Sequence, residues 1–333
     1  MKALISALLG RHRTQSADQA APQDYPASPI RIVVPFTRGG ITDAAARLLR
    51  ARLEPALGRR VRIENHLGGG GTIGAELVAR AAADGYTLLM GSCGEMAIAP
   101  ALQAGMGYDP LRDFIPVALV TIAPLLIVAS ADAPFKSLRE LIEFAAASRH
   151  AVNYATPGVG GPHHLTGEWL RHVARIPLVN VSYGGGAPAV ADVVRGRVPV
   201  AIVAPTPALP HIRSGKLKVL AVTRTTQGTP YSEWPNVADA GYPGFDTSMW
   251  VGLFAPVRTP SAVITRLNVE VNRALMLPEV RADLATQGGA PAGGSQEEFV
   301  SFIRSEMAKY ERLIKEARIR PIAARERTLQ VSG

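Results

Sequence analysis

His164, Glu168 and His172 recur at four-residue intervals and would share one face of a helix, a spacing that can present two imidazoles and a carboxylate to a metal. The H-E-x-x-H pattern of a zinc hydrolase is absent, and a polar stripe facing water accounts for the same three residues. No metal is therefore expected. Cys93 is the single cysteine and has no identifiable base beside it, so packing explains it better than nucleophilic chemistry, and a disulfide framework is excluded. Gly69-Gly70-Gly71-Thr72-Ile73-Gly74 satisfies G-x-G-x-x-G between a predicted strand and a predicted helix. A dinucleotide site also needs an acid at the end of the next strand to hold the ribose, and that strand ends in Gly91-Ser92-Cys93. Neither a phosphate-binding G-x-x-x-x-G-K-[ST] loop nor a G-x-S-x-G elbow occurs, so no cofactor and no catalytic residue are expected.

What remains is backbone chemistry. Glycine turns stand at strand-to-helix junctions at Gly39-Gly40 and from Gly158 to Gly161. The first amides of a helix lack intrahelical acceptors and its N-terminus carries partial positive charge, so such a turn can hold a carboxylate without a charged side chain. Two of them facing each other would make a binding site; singly they are only turns.

The elements that must position these turns follow from hydrophobic pattern. Ile30 to Pro35 is a β-branched run, followed by Gly39-Gly40, Thr42 or Asp43 as a helix N-cap, and a helix from Ala44 to Leu57 that closes at Gly58. Val61 to Glu64 alternates as a strand, Ala75 to Ala83 is helical, and Tyr86 to Met90 is the next strand. The series restarts with Leu125 to Ala129, a helix from Ser137 to Ala147, the strand Val152 to Ala155 and a helix from Pro162 to Val173. Further strands are predicted at Leu178 to Tyr183, Val198 to Val203, Leu217 to Val222 and Trp250 to Pro256, then helices at Ser261 to Leu275 and Gln296 to Ala317. Alternating strands and helices predict an α/β protein with mostly parallel sheets covered on both faces, in two domains connected more than once.

A chain of 333 residues, 47% hydrophobic and 19% charged, has enough apolar material for such a pair of cores. The formal charge of +9 is spread from Lys2 to Arg327 and aromatics are only 6%, which argues against a nucleic-acid surface and for solubility with some attraction for anions. Met1-Lys2 leads a short apolar run, Ala3 to Leu9, interrupted by Arg11-His12-Arg13. That is an atypical secretory signal with a tolerable cleavage region at Ala17 to Ala21, and residues 1–28 are expected to form a mobile leader outside the fold. No other stretch reaches the roughly 18 unbroken apolar residues of a membrane span.

Several longer strings carry a family resemblance. Tyr25-Pro26 through Pro35-Phe36-Thr37-Arg38-Gly39-Gly40, Val61 to Gly74, Asp84 to Leu89, Tyr108-Asp109-Pro110, Tyr154 to Gly158, His163-His164-Leu165, Ser182 to Gly185, Ala240 to Gly244, Trp250 to Pro256 and Arg266-Leu267-Asn268 run in order. Together they resemble the Bug family, the receptors of tripartite tricarboxylate transporters. The resemblance implies a periplasmic solute-binding protein of Venus-flytrap fold that is not an enzyme, with residues 29–127 plus 251–333 in one domain and 128–250 in the other. It implies chain crossings near Leu126–Ala129 and Met249–Gly252, and a small organic acid held mainly by backbone amides in the cleft. Mapped onto this chain, the implied contacts are Phe36, Arg38, Gly39, Gly40, Asp43, Ser92, Thr156, Gly158, Gly160, Gly161, His164, Tyr183, Gly185 and Ala204. The implied partners are membrane components of such a transporter, with the receptor acting as a monomer. A sensor domain reporting ligand to a membrane kinase would read the same way, and a Rossmann-like oxidoreductase is the remaining alternative.

Three departures from the family pattern bear on the ligand. Thr37-Arg38 places a cation in a turn that is usually small or proline-rich, Gly161 stands where Ser or Thr is common, and Val203 where aspartate is common. Gaining an arginine and losing a carboxylate disfavours an ammonium-bearing ligand and favours a dicarboxylate, a keto acid or an aromatic acid. Arg38 can instead point to solvent, the default for a single exposed arginine.

Overall fold

The computed structural model describes residues 25–224 and 231–321. One sheet has six strands: β1 (Ile30–Val34), β2 (Val61–Asn65), β3 (Thr87–Ser92), β4 (Phe114–Pro124), β10 (Ser248–Pro256) and β11 (Ala290–Pro291), in the order β11-β4-β10-β3-β1-β2. The other has five: β5 (Leu126–Ser130), β6 (Val152–Thr156), β7 (Leu178–Ser182), β8 (Val200–Val203) and β9 (Leu217–Val222), ordered β7-β6-β8-β5-β9. Parallel pairing is confined to two trios, β2-β1-β3 and β7-β6-β8. The pairs made by β10 and by β5 are antiparallel, because on these two strands the chain enters a sheet from the edge where its neighbours end.

Helices cover the sheets for reasons visible in sequence. In α1 (Ile41–Leu57), Ala45, Leu49, Leu53 and Leu57 recur every four residues and are all buried, and Gly58 ends the helix at φ 64°, a left-handed conformation that glycine adopts without strain. They pack with Ile30, Ile32, Val34 and, from α8 (Ser261–Met276), Val263, Leu267 and Val271. The 21-residue α10 (Gln296–Glu316) starts in a reciprocal capping box, Glu298 N–H donating to Ser295 Oγ at 3.2 Å and Ser295 N–H to Glu298 Oε2 at 2.7 Å. Its Phe299 packs edge-on against Trp250 of β10, ring centroids 6.1 Å apart. Among the described residues no helix is long and apolar enough to cross a membrane.

Two expectations need correction. Tyr25 to Ser28 belong to the fold rather than to a leader: the Tyr25 hydroxyl donates to Gly85 O at 2.8 Å, its ring lies 5.2 Å from that of Tyr86, and Ala27 N–H donates to the Tyr86 hydroxyl at 2.8 Å. The rest of the expected leader, residues 1–24, lies outside the described residues. The N-cap of α1 is Gly40, not Thr42 or Asp43, because the Asp43 carboxylate sits in the first turn and reaches back to Gly39 N–H at 3.0 Å.

The chain passes between the sheets at Leu125, the one residue between β4 and β5, and again between β9 and β10. The two passages are tied together by buried threonines. Leu125 N–H donates to Thr223 Oγ1 at 3.0 Å, Thr223 N–H to Leu125 O at 3.1 Å, and the Thr223 hydroxyl to Thr247 O at 2.6 Å. Thr247 Oγ1 in turn lies 2.8 Å from the hydroxyl of Thr166 in α5 (Pro162–Ala174). Thr166, Thr223 and Thr247 have no exposed surface.

Candidate functional site

Register puts the glycine turns on matching edges. β1, β2 and β3 end together at Val34, Asn65 and Ser92, and the pairing of Ser92 with Val251 and of Pro124 with Ser248 brings the end of β4 to that same edge. In the second sheet Thr156, Ser182 and Val203 end β6, β7 and β8 on the edge where Leu126 begins β5. Leu125 joins the two edges. The residues expected to contact a ligand therefore lie at the ends of these strands, in the turns that follow them or in the first turns of the next helices.

On the first sheet, the turn after β1 carries half-buried Phe36 and exposed Thr37, Arg38, Gly39 and Gly40 before α1. Gly39 has φ 86°, which only glycine adopts easily, and lets the chain fold back over its own helix start. Asp43 braces this turn from beneath. Its carboxylate accepts from Gly39 N–H, from Arg47 Nε at 2.8 Å and Nη2 at 3.0 Å, and from Asn65 Nδ2 at 3.0 Å, while Asn65 Nδ2 also donates to Phe36 O at 2.9 Å. Burial pushes the Asp43 carboxyl up, but these donors outweigh it and hold it at about 2. An acceptor so fully engaged shapes the loop rather than reaching a ligand.

The turn after β2 runs through Gly68 to Gly71, four successive glycines at positive φ, into α2 (Thr72–Ala79). Gly74 serves close packing: a Cβ there would stand 2.9 Å from Pro35 Cβ and 3.0 Å from His66 O. The glycine pattern thus docks α2 onto β1. After β3 the chain enters a π-helical turn, Gly94–Ile98, and both Ser92 donors are taken by Glu95. Cys93 is fully buried 4.0 Å from Met249 Sδ, and burial pushes its thiol up to about 12, so it is no nucleophile at neutral pH.

On the second sheet three helices start side by side. Gly161 caps α5, Gly185 caps α6 (Gly186–Val194) and Ala204 caps α7 (Pro205–Arg213), none with a side-chain hydrogen bond at its cap. Their first-turn amides, other than at Pro162, Pro188, Pro205 and Pro207, which have no N–H, are what a carboxylate can use. Not every donor nearby is free. Gly160 N–H donates to His164 Nδ1 at 3.2 Å, and the Thr156 hydroxyl lies 2.9 Å from Gly158 O and 2.7 Å from Asn180 Oδ1. The Tyr183 hydroxyl donates to Asp192 Oδ2 at 3.0 Å, while Arg195 and Arg197 approach Asp192 Oδ1. Burial lowers the His164 imidazole against the opposing pull of Glu168, and Arg171 lowers it further. Glu168 is occupied by the Tyr154 hydroxyl at 3.0 Å and Arg171 Nε at 2.9 Å, and His172 is exposed, so the three do not converge on a metal. Among the described residues no group of three or more His, Cys, Asp or Glu is arranged to hold a metal.

The arrangement can hold anions through backbone amides at the helix starts. The profile of the "Tripartite tricarboxylate transporter family receptor" matches residues 45–319. The chain belongs to the tripartite tricarboxylate transporter receptor family. Receptors of this family are periplasmic solute-binding proteins, and the α/β fold of two sheets is theirs. The chain is 34% identical to the R. palustris protein Rpa4515, solved with adipate, at TM-score 0.81, covering 90% of this chain and 100% of that one. Periplasmic binding protein BugD is 33% identical at TM-score 0.77, covering 89% and 99%. MatC (Rpa3494) from Rhodopseudomonas palustris, with bound malate, is 33% identical at TM-score 0.76, covering 87% and 100%.

Local sequence pattern singles out neither Asn65, which ties the first turn to β2, nor Glu95, which claims Ser92. An Asp-Arg spacing of four from Asp43 to Arg47 was the available signal for the brace. Nothing periodic marks Glu95.

Proposed function

We propose that this receptor captures a small dicarboxylate in the cleft between its two sheets and presents it to the membrane components of a tripartite tricarboxylate transporter. The observation that carries the reading is the meeting of two parallel trios at Leu125, each ending in glycine turns with helix starts behind them. One sheet and its helices form each lobe, and Leu125 with Thr223 and Thr247 acts as the hinge. Relatives solved with adipate and malate support an acid with two carboxylates. A thermal-shift panel of di-, tri- and monocarboxylates, keto acids and aromatic acids tests it: at least one dicarboxylate should raise the melting temperature in proportion to its concentration over Kd. Stabilisation by NAD or a nucleotide with no response to any acid would sink the reading.

Arg38 selects the second carboxylate. It is the exposed cation of the β1 to α1 turn, and a guanidinium pairs with a carboxylate in two parallel hydrogen bonds. Calorimetry on Arg38→Ala should show a loss of about 1–2 kcal/mol for a dicarboxylate and under about 0.5 kcal/mol for its monocarboxylate analogue. Equal small losses for both would leave the backbone turns as the whole of the specificity.

A further inference from the structure

Ser92 ends β3 on the cleft edge with an amide and a hydroxyl, the pair of donors a ligand carboxylate would use. Both are already taken by a carboxyl of the protein itself: Ser92 N–H donates to Glu95 Oε1 at 2.5 Å and Ser92 Oγ to Glu95 Oε2 at 2.7 Å. Glu95 has no exposed surface. Its carboxyl lies against two of the cleft turns, since a methyl group placed on Gly71 would stand 3.1 Å from Glu95 Oε2 and 3.0 Å from the Phe36 ring. An acid one side-chain layer beneath an anion site acts on whatever charge the site receives.

Its surroundings do not neutralise it. The Tyr108 hydroxyl donates to the Glu95 backbone carbonyl at 2.7 Å, not to its carboxyl. Glu76 of α2 and the buried Cys93 thiol are the other titratable groups on that side, and α10 brings Glu306 with Lys309, which are paired to each other. Among the described ion pairs none includes Glu95. Burial pushes its carboxyl up to about 7, against the lowering effect of the Ser92 donors.

We propose that Glu95 is a specificity-determining residue of the cleft: it occupies the Ser92 donors in place of the ligand, and it admits an anion beside Phe36 and Gly71 only when it carries a proton. The inference rests on the carboxylate-receptor reading above. Capture near neutral pH is then accompanied by uptake of a proton from solvent onto one Glu95 oxygen. A ligand group with a second full charge is kept away from the β3 end and directed towards the Arg38 turn.

Calorimetry with adipate, malate and the tightest-binding acid of the panel, between pH 6.5 and 8.5, tests this. In that window simple carboxylates stay ionised, so any titration belongs to the protein. Affinity of the wild type should fall about tenfold towards pH 8.5, the limit being about tenfold per pH unit for one linked proton. Binding heats in buffers of different ionisation enthalpy should report net proton uptake at pH 7.5. Glu95→Gln should flatten the profile to within about twofold, and Ser92→Ala, which removes one donor, should move the midpoint to higher pH. Should Glu95→Gln fail to fold, the wild-type proton count and Ser92→Ala decide. Wild-type binding that takes up no proton, or a Glu95→Gln profile as steep as the wild type, overturns the proposal. Silence of the wild type towards the whole acid panel at every pH overturns the receptor reading instead, and this inference falls with it.

Discussion

Asp43→Ala should lower the folding stability by about 3 kcal/mol and loosen acid binding together, because one buried carboxylate serves four donors in the turn after β1. Asp43 is 2% exposed while its partner Arg47 is 39% exposed at the side chain, so the stranded guanidinium can reach water and the loss stays at the low end for a broken buried pair. The pH dependence has a definite sign. The native carboxyl sits at about 2, below the ordinary aspartate value near 3.8, so its contribution is complete above about pH 4 and vanishes as pH falls through 2. That difference corresponds to about 2.5 kcal/mol. Urea unfolding of wild type and variant at pH 7 and pH 2.5 checks it. The gap between them should narrow in acid, and a gap of equal size at both pH values would mean that the carboxylate is not what holds the turn.

Thr223→Val keeps the shape of the side chain and removes its hydroxyl, leaving Leu125 N–H without its acceptor and Thr247 O without its donor where no water enters. Each orphaned buried group costs about 1–3 kcal/mol, so a total of about 2–6 kcal/mol is expected for the two. The effect should reach function as well, since Thr247 also touches Thr166 in the helix that starts at the Gly161 turn. Thr223→Ser, which retains the hydroxyl, should recover most of the stability. Small-angle scattering of Thr223→Val with and without saturating acid should show a less defined closed state than the wild type. A variant as stable and as compact as the wild type would reduce the threonine chain to an incidental contact.

The glycine turns and the strands before them were legible in the sequence because each β-branched run ends abruptly in glycine, as at Val34 to Gly40 and at Thr156 to Gly161. The longest strand of the first sheet was not. Phe114 to Pro124 is apolar on both faces, shows no alternation, and is separated from β5 by Leu125 alone, so no turn residue announces that two strands rather than one lie there. The helices α6 and α7 were missed for a related reason: Pro188, Pro205, Pro207 and Pro210 read as breaks, yet the prolines near each helix start fall where the amide has no acceptor to lose. At the site, helix starts could be read from spacing, but partners could not. Nothing local tells that Thr223 will meet Leu125, 98 residues away, or that Ser92 will be answered by an acid three residues on across a π-turn. Such pairings are decided by how the sheets stack.

Leu125 leaves no slack between β4 and β5. Both strands are pinned by their neighbours, β4 by β10 and β5 by β8 and β9, and inward and outward side chains alternate along each. Inserting one residue there would have to be absorbed by slipping a strand, which would exchange Leu126 and Val128 with Ile127 and Ala129 between two separately packed, buried faces, or by a bulge at the joint. The joint between the halves is thus a short, stiff leaf rather than a tether. In the proposed closing of the two lobes, such a leaf would let the halves swing about one line while denying them the freedom to slide, so the turns on the two edges would meet in the same alignment each time.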